Sequence, residues 1–218
     1  LKISYKIQKN PNGLAQAFIL GENFIGNDDV CLILGDNILY GQGLTQTLIE
    51  AKQIVNNKKK AVIFGYNVPN PKDFGIVEFD DKGNTISIEE KPKKPKSDFA
   101  IIGLYFYPNC VIKKSKSIIP SKRGELEISS LNQLYLNEQK LSVKLLRRGF
   151  SWFDTGTHDS ILRASNFIAS MEKNTGLKVA CLEEIAMKQE FIKKNQISNS
   201  RNYLNQNSYG NYLKKIYE

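Results

Sequence analysis

The sequence is poor in the residues and segments that mark secreted, membrane-spanning or metal-thiolate proteins. Its 218 residues include one histidine and three cysteines, Cys31, Cys110 and Cys181. The odd number and wide spacing of these cysteines favour free thiols in a reducing cytoplasm over disulfides or a metal site. No apolar run approaches the ~18 residues of a membrane span, and no signal-peptide pattern opens the sequence. We therefore expect a cytoplasmic protein that is not embedded in a membrane.

The composition is typical of a globular protein with a basic surface. Hydrophobic residues make up 41% of the chain, charged residues make up 24%, and the formal net charge is +9. The positive charge comes from scattered lysine clusters, such as those at 58–60 and 91–96. A nucleic-acid-binding stripe would pair such charges with aromatic residues along one element, and the sequence does not show that pairing. The lysines are interpreted as solvated surface, and no nucleic-acid partner is expected.

Apolar periodicity predicts strands and helices that alternate along the first third of the chain. Strands are predicted at residues 2–7, 31–34 and 60–67, and helices at 13–25 and 44–55. This order favours an α/β fold with a central mixed, mostly parallel sheet flanked by helices. The nearly continuous apolar run at 60–67 indicates a strand that is buried on both faces.

The middle and the end of the chain follow a different pattern. Alternating segments at 75–80 and 85–89 flank a turn and predict a β-hairpin. Further strands are predicted at 100–107, 141–146 and 150–154, further helices at 110–117, 124–138 and 158–172, and short helices from 181 onward. We therefore predict a main domain, residues 1–175, with a C-terminal helical segment, residues 176–218, packed on it.

Two aspartates come at the ends of predicted strands. Asp36 follows the apolar run 31–34, and Asp154 ends the strand at 150–154. In open α/β sheets the ligand crevice lies outside the carboxyl ends of the strands, where a carboxylate can hold Mg²⁺ against a phosphate. The alternatives are structural, because Asp36 can cap a turn and Asp154 can cap the helix that begins near His158. The local pattern at Asp36 favours the capping role.

Seven short motifs follow one another along the chain. They are GLAQA at 13–17, LGDN at 34–37, FGIVEF at 74–79, EEKP at 89–92, GLYFY at 103–107, RGELE at 123–127 and WFDTGT at 152–157. With CLEEIA at 181–186, they make essentially the whole chain resemble glucose-1-phosphate thymidylyltransferases, a family of sugar nucleotidyltransferases. The resemblance implies a Rossmann-like nucleotidyltransferase fold. It also implies Mg²⁺-dependent transfer of dTMP from dTTP to glucose 1-phosphate, which gives dTDP-glucose and pyrophosphate.

The resemblance implies roles for individual residues. Asp36 and Asp154 match the metal-binding pair of the family and form the catalytic set together with Lys91. Lys91 matches the lysine that neutralises the sugar phosphate, and Glu90 matches the carboxylate that accepts hydrogen bonds from glucose hydroxyls. Without the resemblance, Lys91 would be one more exposed lysine and Glu90 a solvated charge of the hairpin.

Other residues match the walls of the family's substrate site. Gly75 would allow the backbone to approach the sugar closely, because a Cβ atom would intrude there. Gln8 can offer a donor and an acceptor to a thymine edge, and Gly13 would let the following helix approach the nucleoside. The alternative for Gln8 and Gly13 is an ordinary strand end and helix opening. The remaining substrate-binding residues that the resemblance implies are Phe74, Ile101, Tyr105 and Trp152.

One feature of the family is missing from these residues. Its members begin with a Gly-rich loop that carries an Arg and wraps the triphosphate, and no such loop occurs in this sequence. The sequence also begins with Leu1 rather than Met. We therefore expect an N-terminally truncated copy that has little activity alone.

The resemblance also implies a homotetramer and a role in making dTDP-rhamnose and other precursors of cell-surface polysaccharides. Three alternatives stay open at this point: a uridylyltransferase relative, a non-catalytic remnant that binds sugar nucleotide, and a basic nucleic-acid binder. Gln8 and Gly13 favour thymidine over uridine without excluding uridine. An affinity that falls steeply with salt would indicate the nucleic-acid binder.

Overall fold

The computed structural model of the chain describes residues 2–197 and 207–217, with the backbone alone for Tyr217. The contacts group the chain into two compact units, Leu1–Phe153 and Asp154–Glu218. The first unit has the sheets, and the described part of the second is mostly helical. Within the described ranges, no helix combines the length and the hydrophobicity that crossing a membrane requires.

The first unit begins with alternating helices and strands and becomes richer in strands toward its middle. Its elements are α1 (Gln16–Leu20), α2 (Glu22–Ile25), β1 (Val30–Ile33), β2 (Asn37–Gly41), α3 (Leu44–Lys58), β3 (Ala61–Asn67), a 3₁₀ turn (Pro71–Asp73), β4 (Gly75–Phe79), β5 (Thr85–Glu90), β6 (Phe99–Tyr107), α4 (Val111–Ser117), α5 (Ile128–Asn137), β7 (Leu141–Leu146) and β8 (Phe150–Asp154). Most of the predicted elements are confirmed, with ends that move by a few residues.

Strand β6 organises the main sheet. The strand order is β5–β4–β6–β3–β7, and β1 also pairs with β6. β6 pairs antiparallel with β1, β3 and β4, and β4 pairs antiparallel with β5, whereas β3 and β7 are parallel. The predicted mixed α/β sheet is confirmed. These pairs are nevertheless mostly antiparallel, not mostly parallel, because the hairpin and the return into β6 reverse the chain without the crossover that parallel pairing needs.

Helices pack on both faces of the main sheet. Along β3, Ala61 and Ile63 belong to one hydrophobic cluster, which includes residues of α1, α4 and α5. Val62 and Phe64 belong to a second cluster, which includes residues of α3. This alternation follows from the two-residue period of a strand. Since the first five residues of β3 are buried, the interpretation of this segment as a strand covered on both faces is confirmed.

A second sheet, of β2 and β8, places the residues around Asp36. β2 begins directly after Asp36, and β8 includes Trp152. The two strands approach closely at Gly41, where a Cβ atom would lie 2.4 Å from Cδ1 of Phe150. Glycine at this position therefore permits the pairing.

Two predicted elements of the first unit are wrong. Residues 2–8 have no regular secondary structure, although a strand is predicted at 2–7, and Ile3, Tyr5 and Ile7 are exposed. Alternation alone does not hold a strand that has no hydrogen-bonded partner. The predicted helix at 13–25 is divided at Gly21 into α1 and α2. Glycine is a poor helix former, so the division occurs where the helix propensity is lowest.

The second unit consists of α6 (His158–Thr175), α7 (Leu182–Lys188) and α8 (Ser208–Tyr217), with a further helical turn at 194–197. α6 begins with a capping box between Thr157 and Ser160 and ends at Gly176, which has a left-handed φ of 68°. The predicted helix at 158–172 and the short helices after 181 are confirmed. The part of that prediction that falls on 198–206 lies outside the described residues.

Candidate active site

The ends of β4 and β5 bring several of the predicted substrate-binding residues together. Gly75 is opposite Glu90 in the hairpin register, and the Lys91 N–H donates to the Phe74 carbonyl at 3.1 Å. A Cβ atom on Gly75 would lie 3.3 Å from Oε2 of Glu90 and 3.9 Å from Cδ1 of Ile101. Phe74, Gly75, Glu90, Lys91 and Ile101 therefore meet in one place, which we call the sheet corner.

Lys91 turns the chain out of β5 with an uncommon backbone conformation. Its φ is 41°, and a non-glycine residue in this region costs on the order of 1 kcal/mol. Such strain persists only where the surroundings hold it, and it clusters at functional sites. The hydrogen bond from the Lys91 N–H to Phe74 is one contact that holds it here.

A cavity of about 520 Å³ opens beside Glu90 and Lys91. Its lining also includes Arg123, Glu127 and Ser129. Lysine and arginine suit a phosphate, and carboxylates and a serine hydroxyl suit the hydroxyl groups of a sugar. The sequence reasoning did not single out Arg123, Glu127 or Ser129, although the charged residues at both ends of the RGELE motif were a signal that could have done so.

Glu127 is a charged residue in a largely buried position, with 7% of its surface exposed. The Ser121 hydroxyl donates to its Oε1 at 2.7 Å, and Nε of Arg123 lies 3.8 Å from the same oxygen. These contacts compensate the carboxylate for the water that it loses. Arg123 also donates to Glu125 at 2.7 Å, so carboxylates on the same loop hold the guanidinium at the edge of the cavity.

Glu90 is a partly desolvated carboxylate. Burial raises its pKa above the ordinary value, although the Ser129 hydroxyl bonds to it and lowers the pKa, and the Glu127 carboxylate raises the pKa further. Lys91 and Arg123 lower the pKa by smaller amounts. A carboxylate in a less polar environment forms electrostatically stronger hydrogen bonds. Glu90 is thus suited to accepting hydrogen bonds from a bound polyol.

Glu90→Gln is expected to increase the free energy of unfolding at neutral pH. The pKa of Glu90 is higher in the folded chain than in the unfolded one, so folding favours the protonated form and the stability falls as pH rises between the two pKa values. Glutamine removes this cost and keeps an acceptor for Ser129. The advantage of the variant should therefore shrink as pH is lowered toward about 4, the ordinary glutamate pKa.

Urea denaturation at several pH values measures this effect. Glu89→Gln is the matched control, because Glu89 is adjacent and makes an ion pair with Lys96 at 3.1 Å. The control should not gain stability at neutral pH. A Glu90→Gln variant that is less stable than the wild type at neutral pH would show that the charge of Glu90 is net favourable.

Asp36 lies in the turn between β1 and β2, where it is exposed. Nδ2 of Asn37 donates to Oδ1 of Asp36 at 2.9 Å, and Nε1 of Trp152 donates to Oδ1 of Asn37 at 2.7 Å. The Trp152 ring packs edge-on against Phe74, with 5.2 Å between ring centroids. Trp152 therefore connects the turn at Asp36 with the sheet corner. Asn37 is a residue that the sequence reasoning missed, although it adjoins Asp36 in the LGDN motif.

Tyr105 lies in the core next to the sheet corner. It is 3% exposed, and its ring stacks on Tyr107 with centroids 6.2 Å apart. Burial, and to a smaller extent the Glu90 carboxylate, raise the pKa of its phenol above the ordinary value. The structure thus places Tyr105 in the core, within electrostatic range of Glu90, rather than on an open surface.

Gln8 and Gly13 lie together near the start of the described chain. Nε2 of Gln8 donates to the Gly13 carbonyl at 3.1 Å and to Oε1 of Gln16 at 2.7 Å. Gly13 has a φ of 98°, and a Cβ atom there would lie 2.4 Å from the Leu126 carbonyl oxygen. The close approach to the Leu126 backbone is a structural reason for glycine at this position that does not involve a nucleoside.

Asp154 is the first residue of the second unit. Its Oδ1 accepts from the Gly156 N–H at 3.1 Å. The cap of α6 is Thr157, whose side chain accepts from the Ser160 N–H. The alternative in which Asp154 caps this helix is therefore wrong. The other predicted site residues belong to the first unit.

The donor atoms of Asp36 and Asp154 fit the ion that the resemblance implies. Mg²⁺ prefers oxygen ligands and is commonly held by one or two carboxylates, with phosphates and waters at the other positions. Among the residues that the structure describes, no group of three or more His, Cys, Asp or Glu is arranged to hold a metal ion. The carboxylate of each residue, taken by itself, matches the ligand chemistry of Mg²⁺.

Sequence comparisons agree on one family. A family model described as nucleotidyl transferase matches residues 1–171. A glucose-1-phosphate thymidylyltransferase of Neisseria meningitidis serogroup A is 50% identical over 216 residues, which cover 99% of this chain and 74% of that protein. A glucose-1-phosphate thymidylyltransferase of Mycobacterium tuberculosis (strain H37Rv) is 46% identical over 218 residues, which cover 100% of this chain and 74% of that protein.

Solved structures show the same fold. A Bacillus anthracis structure assigned to the glucose-1-phosphate thymidylyltransferases has a TM-score of 0.66 and 37% identity, and the match covers 75% of this chain and 64% of that chain. A UDP-glucose pyrophosphorylase complexed with UDP-glucose has a TM-score of 0.67 at 21% identity, covering 77% of this chain and 66% of that chain. This second likeness shows the fold alone, and the predicted Rossmann-like α/β fold is confirmed. The chain spans about three quarters of the length of the curated relatives and 64% of the Bacillus chain.

Proposed function

The chain belongs to the nucleotidyl transferase family, and we propose that it transfers a thymidylyl group from dTTP to glucose 1-phosphate. In this reaction an oxygen of the sugar phosphate attacks the α-phosphorus of dTTP. The bond from that phosphorus to the bridging oxygen breaks, and pyrophosphate leaves. The relatives named glucose-1-phosphate thymidylyltransferase, at 50% and 46% identity, support this choice of substrates.

The observation that carries the proposal is the pairing of opposite charges at the sheet corner. Glu90 and Lys91 are consecutive, and both line the cavity together with Arg123. A sugar 1-phosphate presents hydroxyl donors and a dianionic phosphate side by side, so a carboxylate next to two cations is complementary to it. Gly75 keeps the backbone close to Glu90 without a side chain in between. Glu90 would orient the sugar, while Lys91 and Arg123 would neutralise its phosphate.

The other predicted site residues have complementary proposed roles. Trp152, Phe74 and Ile101 would form the apolar side of the sugar site, and Tyr105 would support Glu90 from the core. Gln8, with Gly13 beside it, would face the thymine. Asp36 and Asp154 would hold Mg²⁺, which when bound supplies positive charge against the charge that develops on the reacting phosphates.

We also propose the further properties that the resemblance implies. These are a homotetrameric assembly, a cytoplasmic location and supply of dTDP-glucose for dTDP-rhamnose and other polysaccharide precursors. Residues 1–175 would form the nucleotidyltransferase domain, and residues 176–218 a C-terminal helical segment.

The test combines binding and turnover. Calorimetry should show that glucose 1-phosphate binds with a Kd of about 1 mM or tighter, and pyrophosphate release should require dTTP, glucose 1-phosphate and Mg²⁺ together. UTP in place of dTTP should support less release. Little release is expected from the chain as it stands, so the decisive measurement is made after a Gly-rich triphosphate-binding loop of the family is joined to the N-terminus. Binding without any release from that longer chain would contradict the transferase proposal and support a non-catalytic sugar-phosphate binder. The absence of both would contradict the site assignment itself.

A further inference from the structure

Asn37 is held by three hydrogen bonds that use both ends of its amide. Its Oδ1 accepts from Nε1 of Trp152 at 2.7 Å and from the Gly103 N–H at 2.9 Å, and its Nδ2 donates to Oδ1 of Asp36 at 2.9 Å. A carbonyl oxygen has two lone pairs, so two donors occupy this acceptor fully. The amide therefore has one favoured orientation, in which its NH₂ group faces Asp36.

The strand next to Asn37 leaves room for this side chain. A Cβ atom on Gly103 would lie 2.7 Å from Cγ and from Oδ1 of Asn37, so glycine is the residue that allows β6 to come this close. The Gly103 carbonyl also accepts from the Leu34 N–H at 2.8 Å. Gly103 of β6 is therefore hydrogen-bonded both to Leu34, which follows β1, and to the side chain of Asn37.

Trp152 extends the contacts to the sheet corner. Its indole donates to Asn37, and its ring packs on Phe74 with centroids 5.2 Å apart. The Phe74 carbonyl in turn accepts from the Lys91 N–H. A continuous series of contacts therefore runs from Asp36, through Asn37, Trp152 and Phe74, to Lys91.

We propose that Asn37 is a positioning residue that orients the Asp36 carboxylate for a divalent cation and couples that cation to the sugar-phosphate site through Trp152. The inference rests on the proposed function in assigning the cation to Asp36. Groups that orient a metal ligand typically change metal affinity or activity about 10–100-fold. Because coupling between two ligands is reciprocal, the cation and the sugar phosphate should each tighten the binding of the other by the same factor.

The single tryptophan of the chain makes this coupling measurable without turnover. Mg²⁺ should shift the fluorescence of Trp152 and its one indole N–H resonance in the wild-type chain, and Asp36→Asn should lose that response. Asn37→Ala should weaken Mg²⁺ binding in calorimetry by about tenfold or more and should remove most of the indole response. Asn57→Ala is the matched control, since Asn57 is exposed on α3, and it should behave as the wild type.

Trp152→Phe provides a second variant in case Asn37→Ala does not fold. Phenylalanine keeps a ring against Phe74 but removes the donor to Asn37, so the factor by which Mg²⁺ tightens glucose 1-phosphate binding should fall toward one. Wild-type Mg²⁺ affinity in Asn37→Ala, or a wild-type coupling factor in Trp152→Phe, would overturn the inference and leave the cation site intact. If Mg²⁺ neither binds the wild-type chain nor shifts its indole signals, the cation assignment of the proposed function fails as well.

Discussion

Gly103→Ala is expected to lower the free energy of unfolding by about 3 kcal/mol, from the combined cost of overpacking and lost hydrogen bonds. The new methyl group would lie 2.7 Å from Asn37 and 2.7 Å from Cβ of Leu34. Neither neighbour can yield easily, because the Asn37 side chain is held by three hydrogen bonds and the Leu34 N–H bonds to Gly103 itself. β6 is also central in the sheet, so a shift of its backbone would disturb three pairs.

Urea denaturation followed by the fluorescence of Trp152 is the appropriate measurement, since this tryptophan belongs to the first unit. Gly35→Ala is the control. Gly35 lies close by in sequence, but a Cβ atom there meets nothing within 4 Å, so this variant should stay within about 1 kcal/mol of the wild type. Equal losses in the two variants would mean that the close approach of Asn37 to β6 is not the cause.

The sheet corner could be predicted from the sequence because most of it depends on short-range structure. The turn at 81–84 determines the hairpin register, and that register places Gly75 opposite Glu90. Lys91 follows as the next residue. The chemistry of the corner, a carboxylate beside a lysine, is therefore visible in the EEKP motif once the hairpin is recognised.

The contacts of Asn37 and Trp152 could not be predicted in the same way. Their hydrogen bond joins residues 115 positions apart, and it depends on how two small strands pair and on the room left by Gly103. Arg123 and Glu127 reach the cavity from a loop before α5, and no local periodicity indicates which pocket a loop side chain enters. Tertiary packing decides where such side chains lie. Local secondary-structure propensity and apolar periodicity do not specify that packing.

The segment at 2–7 shows that a regular strand pattern can occur where no strand forms. Its alternation of apolar and polar residues is as regular as that of a confirmed strand, yet Ile3, Tyr5 and Ile7 are exposed. The pattern reports which faces a strand would have, whereas the strand itself requires a neighbour that supplies hydrogen bonds. The prediction that Gln8 lies at a strand end and faces a thymine assumes that this strand forms.

Lys91→Ala is expected to weaken glucose 1-phosphate binding about tenfold or more, because a hydrogen bond to a charged group contributes roughly 1.5–3 kcal/mol. Under the proposed function, Lys91 contacts the sugar phosphate and not the nucleotide, so dTTP affinity should change less than glucose 1-phosphate affinity. The positive φ of Lys91 adds a second consequence. Lys91→Gly would lose the ammonium but relieve the backbone, so it should bind as poorly as Lys91→Ala while being the more stable of the two variants.

Calorimetric titration of each ligand into each variant separates these effects. Lys94→Ala is the matched control, because it removes one lysine, and therefore one positive charge, from the same loop. If Lys94→Ala weakens glucose 1-phosphate binding as much as Lys91→Ala does, the loop acts through its overall positive charge and not through a specific contact. A loss of dTTP affinity that exceeds the loss of glucose 1-phosphate affinity in Lys91→Ala would instead reassign Lys91 to the nucleotide, and the cavity beside Glu90 would then have to hold a phosphate of dTTP.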